Sequence, residues 1–110
     1  AHRPWGKYEI ILDEKNKKIK KITVKPKSEL SYQSHKFRNE HWIVLNGTAT
    51  VKKNGNVYKI RKNESTFIAK GEKHRLINDE EKDLEIIEVQ TGTMISEEDI
   101  IRYEDTYGRK

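Results

Sequence analysis

Apolar and polar residues alternate in many short segments of the chain, and residues typical of turns separate these segments. Alternation with a period of two is typical of β-strands that bury one face. Nine segments between turn signals are strand-like, and several of them show this alternation: residues 8–12, 18–24, 29–35, 40–46, 49–53, 56–60, 65–68, 74–78 and 84–90. Because many short strands joined by tight turns are typical of all-β proteins, the pattern predicts a β-sandwich or barrel.

Turn residues and a single helical pattern complete the predicted elements. The pairs 46–47 and 54–55 are both Asn-Gly, and these residue types tolerate a positive φ, so both pairs predict hairpin turns. Only the C-terminal end looks helical, because Ser96 is a candidate N-cap and residues 97–99 place acids in a first turn. We therefore expect a short C-terminal helix that continues into residues 100–101.

Length and composition exclude several classes of protein. The 110 residues predict a single domain spanning residues 1–110. No apolar run approaches the roughly 20 residues that cross a bilayer, and the N-terminal segment lacks the apolar stretch of a signal peptide. The chain has no cysteine, which excludes disulfides and cysteine-based zinc sites. We therefore expect a cytoplasmic protein with no membrane partner.

The basic charge of the chain is compatible with more than one kind of anionic partner. Lys and Arg number 23 and Asp and Glu number 18, which gives a formal net charge of +5. Such a balance is compatible with nucleic-acid binding, but acidic residues alternate with the lysines along most of the chain. The densest basic cluster, residues 15–21, is interpreted as a solvated hairpin turn. We expect no nucleic-acid partner, and a sugar phosphate fits the charge equally well.

Four side chains from two separated segments form a candidate metal site. Gln33 and His35 are two residues apart in a predicted strand, so their side chains point to the same face. Glu40 opens the next strand, and His74 follows a later turn. One amide oxygen, one carboxylate and two imidazoles suit a divalent cation, most simply Zn²⁺, with Mn²⁺, Co²⁺, Ni²⁺ or Fe²⁺ as alternatives.

These two segments resemble the two motifs of the cupin superfamily. The first motif has two ligands separated by one residue, then a Glu and a later Gly, and is matched by Gln33, His35, Glu40 and Gly47. The second motif is matched by Gly71, His74 and Asn78. Gln33 replaces a more common His, and Ala69 stands where a Pro is usual. The resemblance implies a cupin-type double-stranded β-helix, which is a jelly-roll barrel.

The resemblance narrows to the type II mannose-6-phosphate isomerase family. Segments similar to this family extend over nearly the whole chain: residues 3–6, 30–35, 38–42, 63–65, 74–76, 87–92 and 98–102, with the tail up to Arg109. In that family the cupin domain is often the C-terminal part of a bifunctional protein whose N-terminal part is a mannose-1-phosphate guanylyltransferase. The chain is therefore expected to be a stand-alone isomerase or a domain of such a protein.

The resemblance implies an aldose–ketose isomerase that interconverts mannose 6-phosphate and fructose 6-phosphate through an enediol(ate), as a supply for activated-mannose and polysaccharide synthesis. Its ligand set of Gln, His, Glu and His is similar to that of zinc-dependent phosphomannose isomerases. Glu88 is the leading acid/base candidate, because it shares a strand face with Gln90 and the resemblance implies that this face points inward. An ion pair with a neighbouring Lys or Arg is the alternative role for Glu88.

Candidate substrate ligands follow from the same resemblance. Arg is favoured for phosphate by its forked guanidinium. Beside Gln90, the substrate-binding candidates are the arginines of family-like segments: Arg3, Arg38, Arg102 and Arg109. Exposure at the surface without a ligand is the alternative for each arginine.

Other functions and assemblies stay open. A cupin can keep its pocket as a non-catalytic sugar-phosphate-binding module, and related barrels include metal-dependent dioxygenases, which Gln33 disfavours. His41 has the opposite strand parity to Glu40, so we expect it to support the fold or an interface. Because hydrophobic residues make up only 33% of the chain, the N-terminal strand is a candidate for pairing with a second subunit in a homodimer.

Overall fold

The computed structural model describes residues 1–104, and this part of the chain forms strands and no helix. Twelve strands follow one another along it: β1 (His2–Arg3), β2 (Gly6–Asp13), β3 (Lys17–Val24), β4 (Ser28–Glu29), β5 (Tyr32–Ser34), β6 (Arg38–Asn46), β7 (Thr48–Lys53), β8 (Asn56–Arg61), β9 (Ser65–Ile68), β10 (His74–Asn78), β11 (Leu84–Gly92) and β12 (Ile101–Glu104). Every predicted strand segment has a counterpart, except that residues 29–35 divide between β4 and β5. Within residues 1–104 no helix is long and apolar enough to cross a membrane.

The strands form two antiparallel sheets that enclose a common core. The first sheet has the order β1-β2-β3-β11-β6-β9, and the second has the order β12-β5-β10-β7-β8, with β4 paired to β10. The buried apolar side chains come from both sheets: Trp5, Ile22, Val24, Trp42, Val44, Ala49, Val51, Ile60, Ile68, Leu76, Leu84 and Ile86. This two-sheet barrel confirms the predicted all-β jelly roll.

Strand parity decides which side chains of β6 enter the barrel. Glu40, Trp42 and Val44 are buried, whereas His41 and Leu45 are exposed on the opposite face. The same alternation of buried and partly exposed positions runs along β11. The predicted faces of β6 are therefore confirmed, and the interior contains charged groups beside apolar ones.

The two Asn-Gly pairs have different roles. Asn54 and Gly55 have positive φ angles of 50° and 85° and connect the paired strands β7 and β8, which confirms the predicted hairpin turn. Gly47 also has a positive φ, 89°, but it connects β6 in one sheet to β7 in the other. The hairpin predicted at residues 46–47 is therefore wrong, because this pair forms a corner between the sheets.

The predicted C-terminal helix is wrong. Residues 96–99 form one turn, in which the Asp99 N–H donates to the Ser96 carbonyl oxygen over 3.1 Å. The Asp99 carboxylate accepts hydrogen bonds from the backbone N–H groups of Lys36 (2.8 Å) and Phe37 (2.9 Å), which holds this turn against the chain between β5 and β6. The β-branched pair 100–101 favours extended structure, and the chain continues as β12, which pairs with β5.

Candidate metal centre and substrate cavity

Three of the four predicted metal ligands converge inside the barrel. His35 follows β5, Glu40 lies on the inner face of β6, and His74 is the first residue of β10. All three are buried, and one ligand atom from each lies within 4.8 Å of the others. Two segments that are far apart in the sequence therefore supply one compact His-Glu-His cluster.

Backbone carbonyl groups orient both histidines towards the carboxylate. The Nδ1 atom of His35 lies 2.6 Å from the Asp99 carbonyl oxygen, and that of His74 lies 3.0 Å from the Glu72 carbonyl oxygen. Because a carbonyl oxygen only accepts, each Nδ1 donates and each Nε2 presents a lone pair in the neutral ring. These lone pairs face Glu40, at 3.2 Å from His35 Nε2 and 3.7 Å from His74 Nε2.

The cluster fits a divalent cation. His74 Nε2 is fully buried and has no hydrogen-bond partner among the described residues, and a buried polar atom of this kind costs free energy unless something binds it. Two imidazole nitrogens and a carboxylate are typical ligands of borderline cations, and the carbonyl groups behind the rings are typical of metal-binding histidines. His35, Glu40 and His74 could therefore hold a metal ion.

The protonation states of the cluster favour cation binding. Burial alone would raise the pKa of Glu40, but its interactions with His35 and His74 and the positive charge of Arg38 keep this pKa well below its usual range. Burial lowers the pKa of His74, against the opposing effect of the Glu40 charge. An ionised carboxylate next to a neutral imidazole is the state in which both can act as ligands.

Arg38 lies directly beside the ligand cluster. Its Nη2 and Nε atoms are 2.9 Å and 3.0 Å from Glu40 Oε2, and Nη2 is also 3.3 Å from His35 Nε2. The remaining Nη1 atom points away from the cluster and donates to the Ser96 carbonyl oxygen over 3.2 Å. The guanidinium therefore connects the cluster to the turn at residues 96–99.

Glu88 is a second buried carboxylate next to Glu40. The indole N–H of Trp42 points between the two, with Nε1 at 3.0 Å from Glu40 Oε1 and 3.2 Å from Glu88 Oε1. Gln90 donates from Nε2 to Glu88 Oε2 over 2.7 Å. Burial, followed by the negative charge of Glu40 and a hydrogen bond with it, raises the pKa of Glu88 to about 8. A carboxyl group with such a pKa can hold or release a proton near neutral pH.

A cavity of about 220 Å³ opens beside Glu88, which is large enough for a small molecule and too small for a polymer. Its wall includes five residues that were predicted as catalytic, metal-binding or substrate-binding: Arg3, Gln33, Arg38, Glu88 and Arg102. Arg102 places a buried Nε atom there that has no hydrogen-bond partner among residues 1–104. The cavity therefore joins a proton-holding group to several cationic side chains.

Three further predicted residues are Gln33, Gln90 and Arg109. Gln33 is the register partner of His74 on the neighbouring strand, and its Oε1 accepts a hydrogen bond from the Ser31 hydroxyl over 3.2 Å. Gln90 is fully buried behind Glu88, opposite Glu40 in register, and not on the cavity wall. Arg109 lies outside the described residues.

The interpretation of residues 15–21 as a solvated turn is wrong for two lysines. Lys18 and Lys20 belong to β3, on the same face as the core residues Ile22 and Val24, and both are buried. Lys20 lines the cavity together with Tyr8, and its ammonium lies 4.4 Å from the centre of that ring. Parity counted back from Ile22 in the predicted strand 18–24 already places both lysines inward, so the signal was present in the sequence.

Comparison with known proteins places the whole described chain in one sequence family. The family model described as mannose-6-phosphate isomerase C-terminal matches residues 1–105. The chain is 49% identical to the xanthan biosynthesis protein XanB of Xanthomonas campestris pv. campestris (strain B100) and 46% identical to the mannose-1-phosphate guanylyltransferase ManC of Salmonella typhimurium (strain LT2), each over 109 residues. Both matches cover 99% of this chain and 23% of the relative. The chain thus spans about a quarter of the length of these relatives.

A solved structure confirms the fold at low sequence identity. The cupin domain of Schizosaccharomyces pombe Cnp3 is similar to this chain with a TM-score of 0.75, at 12% identity, over 77% of this chain and 63% of that domain's chain. At such an identity the similarity shows the fold alone. The barrel is therefore a cupin-type double-stranded β-helix.

Proposed function

The chain belongs to the mannose-6-phosphate isomerase C-terminal family, and from this membership we propose that it interconverts mannose 6-phosphate and fructose 6-phosphate. The proposal rests on the position of Glu88. This residue lies on the wall of a cavity with several cationic side chains, and the Trp42 indole N–H contacts both Glu88 and Glu40 of the His-Glu-His cluster. An aldose–ketose isomerisation needs a group that moves a proton between neighbouring carbons, positive charge near the oxygens of those carbons, and a site for the phosphate.

We propose His35, Glu40 and His74 as ligands of a divalent cation, with Zn²⁺ the first choice for this mixture of nitrogen and oxygen donors. The bound cation would supply positive charge that stabilises negative charge developing on a substrate oxygen. Gln33 is the proposed fourth ligand, because it is the register partner of His74 and carries its amide on the adjoining cavity wall.

Glu88 is the proposed acid/base residue. Its carboxyl group is held by the Trp42 indole on one oxygen and by the Gln90 amide on the other, so its orientation is fixed before substrate enters. Burial, and then the negative charge of Glu40 nearby, raise the pKa of Glu88 and so favour its protonated form. We therefore assign proton transfer to Glu88 and a positioning role to Gln90.

Arg3 and Arg102 are cationic side chains of the cavity, and we propose that they bind oxygens of the substrate. Arg3 lines the cavity, and its Nη2 lies 3.2 Å from the Tyr8 hydroxyl. Arg102 comes from β12 of the opposite sheet, where it is the register partner of Gln33. Charge-assisted hydrogen bonds from such groups would help to hold an anionic substrate in the cavity.

A coupled assay of mannose 6-phosphate conversion tests the proposal. The metal-loaded chain should produce fructose 6-phosphate, a chelator should abolish the reaction, and mannose without phosphate should be a poor substrate. A chain that binds mannose 6-phosphate with its metal site filled, but does not convert it, would refute the isomerase and leave a sugar-phosphate-binding module.

A further inference from the structure

Lys20 is a buried cation for which the family resemblance predicted no role. Its side chain is 8% exposed and lies on the inner face of β3, directly opposite Glu88 of β11 in the strand register. The ammonium is 3.2 Å from Glu97 Oε1 and 4.4 Å from the centre of the Tyr8 ring. An ammonium buried to this degree needs a counter-charge, and Glu97 supplies it through this ion pair.

Glu97 reaches into the cavity from the segment that joins β11 to β12. Its side chain is 57% exposed, and its second oxygen lies 3.9 Å from Arg38 Nη1. Burial alone would raise the pKa of Glu97, but the charges of Lys20 and Arg38 and the hydrogen bond from Lys20 lower it, so the carboxylate is ionised at neutral pH. The Glu97 carboxylate therefore lies between two buried cations, Lys20 and Arg38, on the wall of the cavity.

Glu97 lies on the cavity wall with much of its side chain exposed, and it is not a carboxylate buried in the core. Its backbone segment is anchored independently by Asp99, whose carboxylate accepts from two backbone N–H groups. The Glu97 side chain can therefore leave Lys20 and enter solvent without releasing the turn. A phosphate group carries more charge than a carboxylate and offers three oxygens to a Lys and an Arg together.

We propose that Lys20 and the outer Nη1 edge of Arg38 form the phosphate subsite of the cavity, and that Glu97 is an internal anion which the substrate phosphate displaces. The inference rests on the proposed function, because it names the group that recognises the phosphate of that same substrate. Glu97 should then weaken phosphate binding, since its carboxylate competes with phosphate for the same two cations.

Binding of inorganic phosphate, measured by titration calorimetry with and without bound metal, tests the subsite without any turnover. Both metal states are needed because phosphate can also ligate a metal ion. The test variants are Glu97→Gln and Lys20→Gln. The matched controls are Glu85→Gln and Lys21→Gln, which alter an ion pair of 3.4 Å on the outer face of β3 and β11 and change the net charge equally.

Glu97→Gln should tighten phosphate binding about fivefold in both metal states, because one competing carboxylate is gone. Lys20→Gln should weaken it about tenfold or more, the scale of a lost hydrogen bond to a charged group. The two control variants should bind phosphate as the unchanged chain does. Thermal unfolding of each variant verifies that it is folded, and if Lys20→Gln does not fold, the exposed Glu97 side chain still allows the test.

Unchanged or weaker phosphate binding by Glu97→Gln would overturn the proposal, as would unchanged binding by a folded Lys20→Gln. A failure of the isomerase proposal can be distinguished from a failure of the phosphate subsite. If mannose 6-phosphate is not converted, but phosphate binding responds to Lys20 and Glu97 as described, the subsite stands and the catalytic function falls. If conversion is observed and phosphate binding ignores both residues, only the subsite is wrong.

Discussion

Lys20 and Glu88 lie directly opposite each other in the register of β3 and β11, and both side chains line the cavity. The Lys20 charge lowers the pKa of Glu88, against the larger effects of burial and of Glu40, which raise it to about 8. The proposed acid/base group is therefore bordered by a negative charge on the side of the metal ligands and by a positive charge on the side of the proposed phosphate subsite.

Glu88→Gln should abolish most of the turnover while the metal remains bound. Gln preserves the size of the side chain but cannot accept and return a proton, so we expect kcat to fall by about 10²- to 10⁴-fold. The measurement is kcat for mannose 6-phosphate together with the metal content of the same sample. Glu85→Gln, on the outer face of the same strand, is the control. Retained turnover in Glu88→Gln would remove Glu88 from the mechanism.

The metal-free chain should lose stability as the pH is raised from about 5 towards 8, in part through Glu88. In the unfolded chain this carboxyl group titrates near 4.5, whereas in the folded chain its pKa is about 8. Between these values the unfolded chain releases the proton and the folded chain keeps it, so the contribution of Glu88 is complete below 4.5 and is lost as the pH rises through 8.

The difference between variants isolates that contribution. His74 adds a slope of opposite sign, because burial lowers its pKa, but this slope is common to all the proteins compared. Chemical denaturation at several pH values should show that Glu88→Gln removes the loss of stability between pH 5 and 8. Glu85, whose pKa is lowered, titrates below this range, so Glu85→Gln should keep the slope. Identical slopes in the unchanged chain and Glu88→Gln would contradict the assignment.

Removal of either cluster histidine should release the metal, and removal of His41 should not. His35 and His74 point at Glu40 inside the barrel. His41 is exposed on the outer face of β6, where its ring packs edge-on against Phe67 with 6.1 Å between the ring centroids. We expect His35→Ala and His74→Ala to lose metal affinity by at least about tenfold. Elemental analysis after dialysis measures the loss. Equal metal content in all three variants would show that the cluster is not the metal site.

Asp99→Ala should destabilise the fold and loosen the metal site together. The variant leaves the backbone N–H groups of Lys36 and Phe37 without their carboxylate acceptor, at a cost of roughly 1–3 kcal/mol. The same turn carries the carbonyl oxygen that orients His35, so metal affinity should fall as well. Chemical denaturation and metal titration measure the two effects, with the exposed Asp79→Ala as control. Stability and metal affinity equal to those of the control would contradict this role of Asp99.

The sequence predicted the interior of β6 well because one face of that strand alternates strictly. Trp42 and Val44 are apolar and buried, and Glu40 shares their parity, so its inward direction followed from a period of two. The convergence of His35 with His74 could not be predicted from strand parity. It depends on which strands pair across the barrel, and only the resemblance to the cupin motifs supplied that information.

The predictions for Lys20 and for the C-terminal segment were wrong. A cluster of lysines has the composition of a solvated turn, although strand parity relative to Ile22 placed Lys20 inward. At residues 96–99 a Ser followed by acids resembles a helix N-terminus. The Asp99 carboxylate instead accepts hydrogen bonds from a distant part of the backbone, and no local pattern reveals such a tertiary partner.

The most direct test of the account is a titration of metal into the chelator-treated chain, with metal occupancy and conversion of mannose 6-phosphate measured in the same samples. The account predicts that conversion is absent without metal, rises in proportion to occupancy and reaches its limit at one ion per chain. Conversion that persists after complete metal removal, or a filled site that converts no mannose 6-phosphate, would contradict it.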